Sequence, residues 1–479
     1  MNSLVKELSL MLSYFMRKIS DSIMDTFMER IMKDKYTDNL YEAITVAQKV
    51  DPKNLIETTL RAQTGKPLSR PLGSPIVLSE WEKILLNPVH LFRFPTDEKE
   101  KVETKITIGP KAKKPLKIEN PIMIAGMSYG GALSKKMKIA LAKAASKVGT
   151  ATNSGEAPLI EEEWKNAKYF IGQYNRGGWM NEPDALKKLD AIEIQLGQGA
   201  QASASMKTPD RLIGKEYRSK FRLAEGQPAV IHSNLPEVET IDDFIKLVTK
   251  LKTEYQVPIG IKIAATHYLE EELEVMLKAD IDFITIDGAE GGTHGGPTTL
   301  QDDVGLPTLH ALARAVKYLE DKGVKDEITL IITGGLTTPG HYLKALALGA
   351  DALYIGTMAI IAMVQTQMTK ATMWEPPTDI MLYTGDHKDD FNIDEGVEKL
   401  VNYFNSCTTE MKQVVRALGK RKFIELDRSD LCAVDKDIAQ LTRIAYAGLP
   451  VNKQSQAFRE RIEPYMIEKA DDTKEKRLH

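Results

Sequence analysis

The sequence predicts an α/β protein built on a (β/α)8 barrel, with mainly helical extensions at both ends. Two observations carry this. From Pro121 to about Ile361, short runs that are apolar along most of their length alternate with segments of helical period. That is the pattern of parallel strands covered on both faces and joined by crossover helices. The runs also tend to end in glycine or polar residues, where a barrel of this type displays its functional loops.

Eight strand candidates follow in order: PIMIAGMS (121–128), TATNSGE (150–156), DAIEIQLG (190–197), AVIHSN (229–234), PIGIKIAA (258–265), DFITIDG (282–288), ITLIITGG (328–335) and DALYIGT (351–357). Helical periods fall on Ser134–Lys147, Ile241–Tyr255, Glu270–Lys278, Pro307–Lys322 and Pro339–Leu348. A doubly wound sheet is the alternative. Its opening turn would be GMSYGGALS (126–134), a poor match to the dinucleotide fingerprint, with no acidic residue ending a second strand at the proper distance. Inserts at Glu156–Lys188 and Gln195–Gln227 are expected at the active face.

The flanking regions read as appendages. Residues 1–95 form an N-terminal helical and extended region. Residues 4–32 predict an amphipathic helix with Leu4, Leu8, Met11, Leu12, Phe15, Ile19, Ile23, Phe27 and Ile31 on one face. Such a face docks on the main domain or a second subunit, with peripheral membrane contact as the alternative; a homo-oligomer is expected. Glu7, Arg17 and Lys18 against a short apolar core, without a small-residue cleavage site, argue against a signal peptide. Pro67, Pro71 and Pro75 break any long helix, and a strand is expected in KVETKITIG (101–109). The barrel domain spans 96–375. A C-terminal helical extension, 376–479, contains an amphipathic helix at 393–418 with Cys407 on its apolar stripe, which makes Cys407 a core residue; Cys432 falls in an Asp-rich loop pattern.

Composition narrows the chemistry. The 64 basic and 67 acidic side chains of the 479 residues give a formal charge of −3, against a nucleic-acid binder that works by phosphate neutralisation. Two cysteines exclude a disulfide framework and cannot ligate an iron–sulfur cluster or a Cys-rich zinc site. No metal ligand set is proposed. No run reaches the roughly 18 apolar residues of a membrane span, and a cytoplasmic protein is expected.

The strongest local signal is ITLIITGGLTTPGHYLKALALGADALYIGT (328–357). Gly334-Gly335 end one strand and Gly356-Thr357 end the next, with one helix between. As strands seven and eight of a barrel, these turns would hold a phosphate between loop amides and a helix N-terminus. Nucleotide, sugar phosphate and flavin mononucleotide (FMN) all fit this motif. Other strand ends carry Ser128, Asn153, Glu156, Gln195, Gln198 and Lys262, and the loop DGAEGGTHGGP (287–297) brings Gly291 and Gly292. Lys262 is a charge on an otherwise apolar strand. It needs an anionic partner, either a carboxylate inside the barrel or a cofactor that becomes anionic on reduction, such as a flavin.

These motifs, in this order, resemble the FMN-binding synthase domain of the glutamate synthase family, especially its short stand-alone archaeal-type members. AGMSYGGALS (125–134), ATNSGE (151–156), EIQLGQGAQ (193–201), GIKIA (260–264), GAEGGTHGGP (288–297) and the segment 334–357 carry the resemblance. It implies an FMN enzyme in which reduced flavin passes a hydride to 2-iminoglutarate, so that 2-oxoglutarate plus ammonia gives glutamate. It further implies that Gly334, Gly335, Gly356 and Thr357 hold the phosphate. Ser128, Asn153, Gln198, Lys262, Gly291 and Gly292 would surround the ring, and Glu156 would lie beside the imine. His294, where the family has glycine, is a candidate acid.

The chain also departs from the family. The stretch MAIIAMVQTQMTKATMWEPP (358–377) contains no cysteine, so no iron–sulfur cluster is expected; NAD(P)H or a ferredoxin-like protein would reduce the flavin. The start Met1-Asn2-Ser3 lacks a glutaminase nucleophile, so ammonia would come free or from a separate amidotransferase subunit. Two family lysines are Gln195 and Gln201 here, which leaves Gln201 with Lys207 for substrate, and Arg211 or Arg176 as further cations. Two other readings stand: an FMN barrel with another substrate, of the type 2 isopentenyl diphosphate isomerase kind, and a non-catalytic glutamate synthase-like subunit.

Overall fold

A computed structural model describes residues 2–39, 41–293, 295–371 and 376–451. It divides into two units, the first ending at Leu68 and the second starting at Ser69. The first unit is helical, with helices Asn2–Lys33, Tyr41–Lys49 and Pro52–Thr64. Asp51 caps the last of these by accepting from the Asn54 amide, and Gly65 ends it in the left-handed region. On the long helix, Met11, Leu12, Phe15, Ile19 and Ile23 are exposed.

In the second unit eight parallel strands close into a barrel: β1 (Ile122–Ile124), β2 (Thr152–Asn153), β3 (Phe170–Tyr174), β4 (Ala191–Gln195), β5 (Ile259–Ala264), β6 (Phe283–Asp287), β7 (Thr329–Thr333) and β8 (Ala352–Ile355). Closure is made by β8 on β1, with Leu353 opposite Ile122 and Ile355 opposite Ile124. Helices α1 (Lys135–Val148), α2 (Glu161–Asn166), α3 (Pro183–Leu186), α4 (Ile241–Glu254), α5 (Leu269–Lys278), α6 (Thr308–Asp321), α7 (Pro339–Ala347) and α8 (Thr357–Ala371) follow the successive strands. Several starts are set by side-chain caps: Ser134 on α1, a Thr240–Asp243 capping box on α4, and Thr338 on α7.

One of the eight expected strands is replaced. The run AVIHSN does not enter the barrel; Ala229–Ile231 pairs antiparallel with Met206–Thr208 as a hairpin in the β4–β5 connection. The third barrel strand is FIGQY (170–174), inside what reads in sequence as an insert. Its interior-facing Gln173 breaks the apolar run, because it faces a polar layer rather than a hydrophobic one.

The alternation of period two sorts each strand. Ile192, Ile194, Ile261, Ile284, Leu330 and Leu353 point out into the main core. Met123, Ile171, Phe283 and Ile331 point in and pack on the hairpin Ile106–Ile108/Leu116–Ile118, which plugs the amino end of the barrel. After the barrel, α9 (Ile393–Ala417), capped by Asn392, buries Val397, Leu400, Phe404, Cys407 and Met411 against α1, α7 and α8. Cys432 lies in a short strand, Leu431–Ala433, paired with Ile84–Leu86, rather than in a loop. Among the described residues no helix is long and apolar enough to cross a membrane, and no group of acidic, His or Cys side chains could hold a metal ion.

Candidate active site

Above the apolar plug the barrel interior turns polar. Glu193, on β4, is fully buried. Its carboxylate accepts from Asn153 Nδ2 at 2.9 Å, Gln173 Nε2 at 2.9 Å and Thr285 Oγ1 at 2.8 Å. Asn153 also reaches the Tyr354 hydroxyl at 3.1 Å. A buried anion with this many donors is a fixed element of the interior.

Two residues further toward the carboxyl rim, by the strand register, stands Lys262, 2% exposed. Its Nζ lies 3.0 Å from Asp287 Oδ2. Burial works against the ammonium, but Asp287, then Glu193 and Glu156, outweigh it and hold the lysine above its ordinary pKa. The other Asp287 oxygen, Oδ1, is buried with no hydrogen-bond partner in the protein.

Both groups open on a cavity of about 270 Å³ at the carboxyl ends of the strands. Of the residues the sequence proposes, Ser128, Glu156, Gln198, Gln201, Lys262, Gly292, Gly334, Gly335, Gly356 and Thr357 line it. Asn153 stands behind the wall, in the Glu193 network. Gly291 backs Asp287; a Cβ there would come 2.3 Å from Oδ1. Lys207 does not line the cavity. It is exposed on the hairpin, while its neighbours Met206 and Thr208 face inward, as alternation requires. His294 lies outside the described residues. His267 is exposed and lies beside Arg314, outside the cavity wall.

The two glycine turns meet at one end of the cavity. Gly334 and Gly335 have φ of +111° and +65°, a conformation that disfavours any side chain. Gly356 precedes the first turn of α8, and a Cβ built on it would meet nothing nearer than 3.8 Å. A Cβ there would therefore make only ordinary contacts, with Ala125 and Met127. Thr357 begins α8 and lies beside Gly292. A phosphate fits this cradle of amides at a helix start, and the unpartnered Asp287 Oδ1 beside a paired lysine fits a heterocycle's edge.

Glu156 enters from the loop after β2. Its two oxygens are held by Arg176 Nε and Nη2, each at 3.1 Å, and Arg176 is fully buried. Arg176 also donates to Ser203 O. It is therefore a clamp on Glu156, not a free cation. Lys138, buried between Glu163 at 2.8 Å and the carbonyls of Asn153 and Ser154, fixes the same loop from below.

Gln173, Glu193, Asp287, Glu290 and Tyr354 are not singled out by the sequence. Glu193 carries the same signal as Lys262, a charge inside an apolar strand. Asp287 ends its strand in the position where barrels place functional groups. Gln173 is hidden because its strand is.

The closed barrel and its rim cavity define a (βα)8-barrel protein with a ligand site at the carboxyl face. The pattern described as a conserved region in glutamate synthase matches residues 83–421. The chain belongs to the glutamate synthase family. It is 30% identical over 425 residues to a glutamate synthase large subunit-like protein of Rhizobium meliloti, covering 83% of this chain and 94% of that one. It is 33% identical to the archaeal glutamate synthase [NADPH] of Archaeoglobus fulgidus, covering 64% of this chain and 60% of the relative. An archaeal-type glutamate synthase [NADPH] of Dehalococcoides mccartyi is 30% identical, with 77% of each chain covered.

Proposed function

We propose that this protein is an FMN-dependent oxidoreductase that reduces a 2-imino acid, formed from a 2-oxo acid and ammonia with loss of water. The observation that supports it most is the meeting, in one cavity, of the Gly334-Gly335 and Gly356-Thr357 turns with the buried Lys262. Bound there, FMN would supply hydride chemistry: a hydride to the C=N carbon and a proton to nitrogen give the amine, and a dissociable donor restores the reduced flavin.

The chain's own residues have distinct tasks in this reading. The glycine turns and Thr357 hold the phosphate. The Lys262 ammonium, kept charged by Asp287, stabilises negative charge on the reduced ring. Gln198 and Gln201, joined by a 2.9 Å hydrogen bond, present amides at the rim. Glu156 is aimed by Arg176 and offers a fixed carboxylate to the nitrogen of the reacting group. NADPH as donor is supported by the names of the archaeal-type relatives; a ferredoxin-like protein is the other candidate. Ammonia arrives free or from a separate subunit.

The test is direct. The purified protein is expected to be yellow and to release FMN. Reduced anaerobically by NADPH, it is expected to be reoxidised by a 2-oxo acid with ammonia. A colourless protein that FMN cannot reconstitute overturns the proposal. A yellow protein that no 2-oxo acid reoxidises leaves the flavin site and removes the reaction.

A further inference from the structure

The charge around the cavity narrows the acid that this proposed site would take. Among the described residues, the charged side chains lining the cavity are Glu156, Lys262, Asp287 and Glu290. Each is already matched. Glu156 is clamped by Arg176, Lys262 by Asp287, and Glu290 accepts from the Ser79 amide and from Thr308 N and Oγ1. Lys207 points away and Arg211 is exposed, so neither brings a cation into the wall. Among the described residues no cation of the wall is left unmatched, so every carboxylate a substrate brings beyond the one its 2-oxo acid head requires adds a further charge that must leave water without a counter-charge. Such a buried charge is strongly unfavourable.

What the cavity offers instead is apolar surface. Beyond the Gln198–Gln201 pair, its wall is made by Trp179 from the β3 connection and by Met206, Tyr217 and Ile231 from the β4–β5 connection. This wall is packed from behind. Phe221 stacks on Tyr217 at 3.9 Å and meets Trp179 edge-on at 4.7 Å. Gly177 leaves room for the Trp179 ring, since a Cβ there would approach it to 2.5 Å. The wall stands on the connections after β3 and β4, whereas the glycine cradle is built from the turns after β7 and β8.

We propose that the acceptor is a 2-oxo acid with an aromatic or branched apolar body and a single carboxylate, and that 2-oxoglutarate is not the substrate. This rests on the oxidoreductase reading above, and deepens it.

Phenylpyruvate and 2-oxoglutarate are titrated calorimetrically into the full chain, with and without added FMN, after its flavin content has been read. Phenylpyruvate is expected to bind at least about tenfold more tightly, a lower bound because a buried carboxylate without a counter-charge costs well over one decade in affinity. Ile231→Arg is expected to narrow or invert that preference; Met206→Arg serves the same purpose if the first variant does not fold. Equal affinities, tighter binding of 2-oxoglutarate, or binding of neither acid overturns the inference. Flavin content and reoxidation of the NADPH-reduced protein decide the oxidoreductase reading separately, because calorimetry reports the preference whether or not the protein is yellow.

Discussion

An ammonium inside a barrel survives only with its counter-charge. Lys262 and Asp287 face each other at 3.0 Å, both almost wholly buried. Removing one partner leaves the other charge stranded. Lys262→Met is therefore expected to cost about 3–5 kcal/mol in urea unfolding. The double variant Lys262→Met/Asp287→Leu is expected to recover most of that, because two apolar groups replace the pair. Flavin reduction by NADPH is expected to stay impaired in both. If reduction recovers along with stability, Lys262 is only a packing element. The Glu156–Arg176 clamp follows the same rule. Arg176→Met is expected to destabilise by about 3–5 kcal/mol, since it strands a carboxylate that is 7% exposed. Equal urea midpoints for variant and parent would show that Arg176 does not hold the β2 loop.

At the scale of elements, the glycine turns separate what folds the chain from what it binds. Gly288 lies so close to α6 that a Cβ would meet Thr308 Oγ1 at 1.9 Å, whereas on Gly356 it would make only ordinary contacts, at 3.8 Å with Ala125 and Met127. Gly288→Ala is expected to lower the thermal midpoint of the flavin-free protein. Gly356→Ala is expected to leave that midpoint unchanged or to gain about 0.4–1 kcal/mol from a less flexible unfolded chain. It is nevertheless expected to weaken FMN binding by roughly tenfold, because the methyl fills the cradle. A fluorescence titration with FMN on both variants checks this; unimpaired binding by Gly356→Ala would move the phosphate elsewhere.

Local sequence pattern marks most of these elements. Seven barrel strands are legible because their outward faces are uniformly Ile, Leu or Val, or because a glycine turn closes them. FIGQY is not, since Gly172 and Gln173 interrupt its apolar character. AVIHSN is misleading because β-branched residues suit a two-stranded hairpin as well as a barrel. The cradle and Lys262 follow from local pattern, while Asp287 as the lysine's partner requires the β5–β6 register that sets Ala264 beside it. That Lys207 turns outward follows from hairpin alternation, which no spacing in the sequence reveals without knowing that Met206–Thr208 pairs with Ala229–Ile231.

Across the second unit as a whole, α9 decides how much of the chain a working barrel needs. It is far from the cavity in sequence, yet it covers α1, α7 and α8, the helices beside the strands that carry Ser128, Gly334 and Gly356. Its buried stripe belongs to the same continuous core as the outward faces of the strands. At its middle, Phe404 is fully buried, and the Tyr403 hydroxyl meets that of Tyr342 on α7 at 2.6 Å. Phe404→Ala is therefore expected to cost about 3–5 kcal/mol. Because one core links α9 to the barrel, the loss should appear as a shift of a single unfolding transition followed by circular dichroism and tryptophan fluorescence together. A chain ending before Ile393 is expected to aggregate, as it would expose the apolar faces of three barrel helices at once. Two separate transitions, or a soluble truncated chain that still binds FMN, would show instead that α9 is an appendage and that the barrel closes without it.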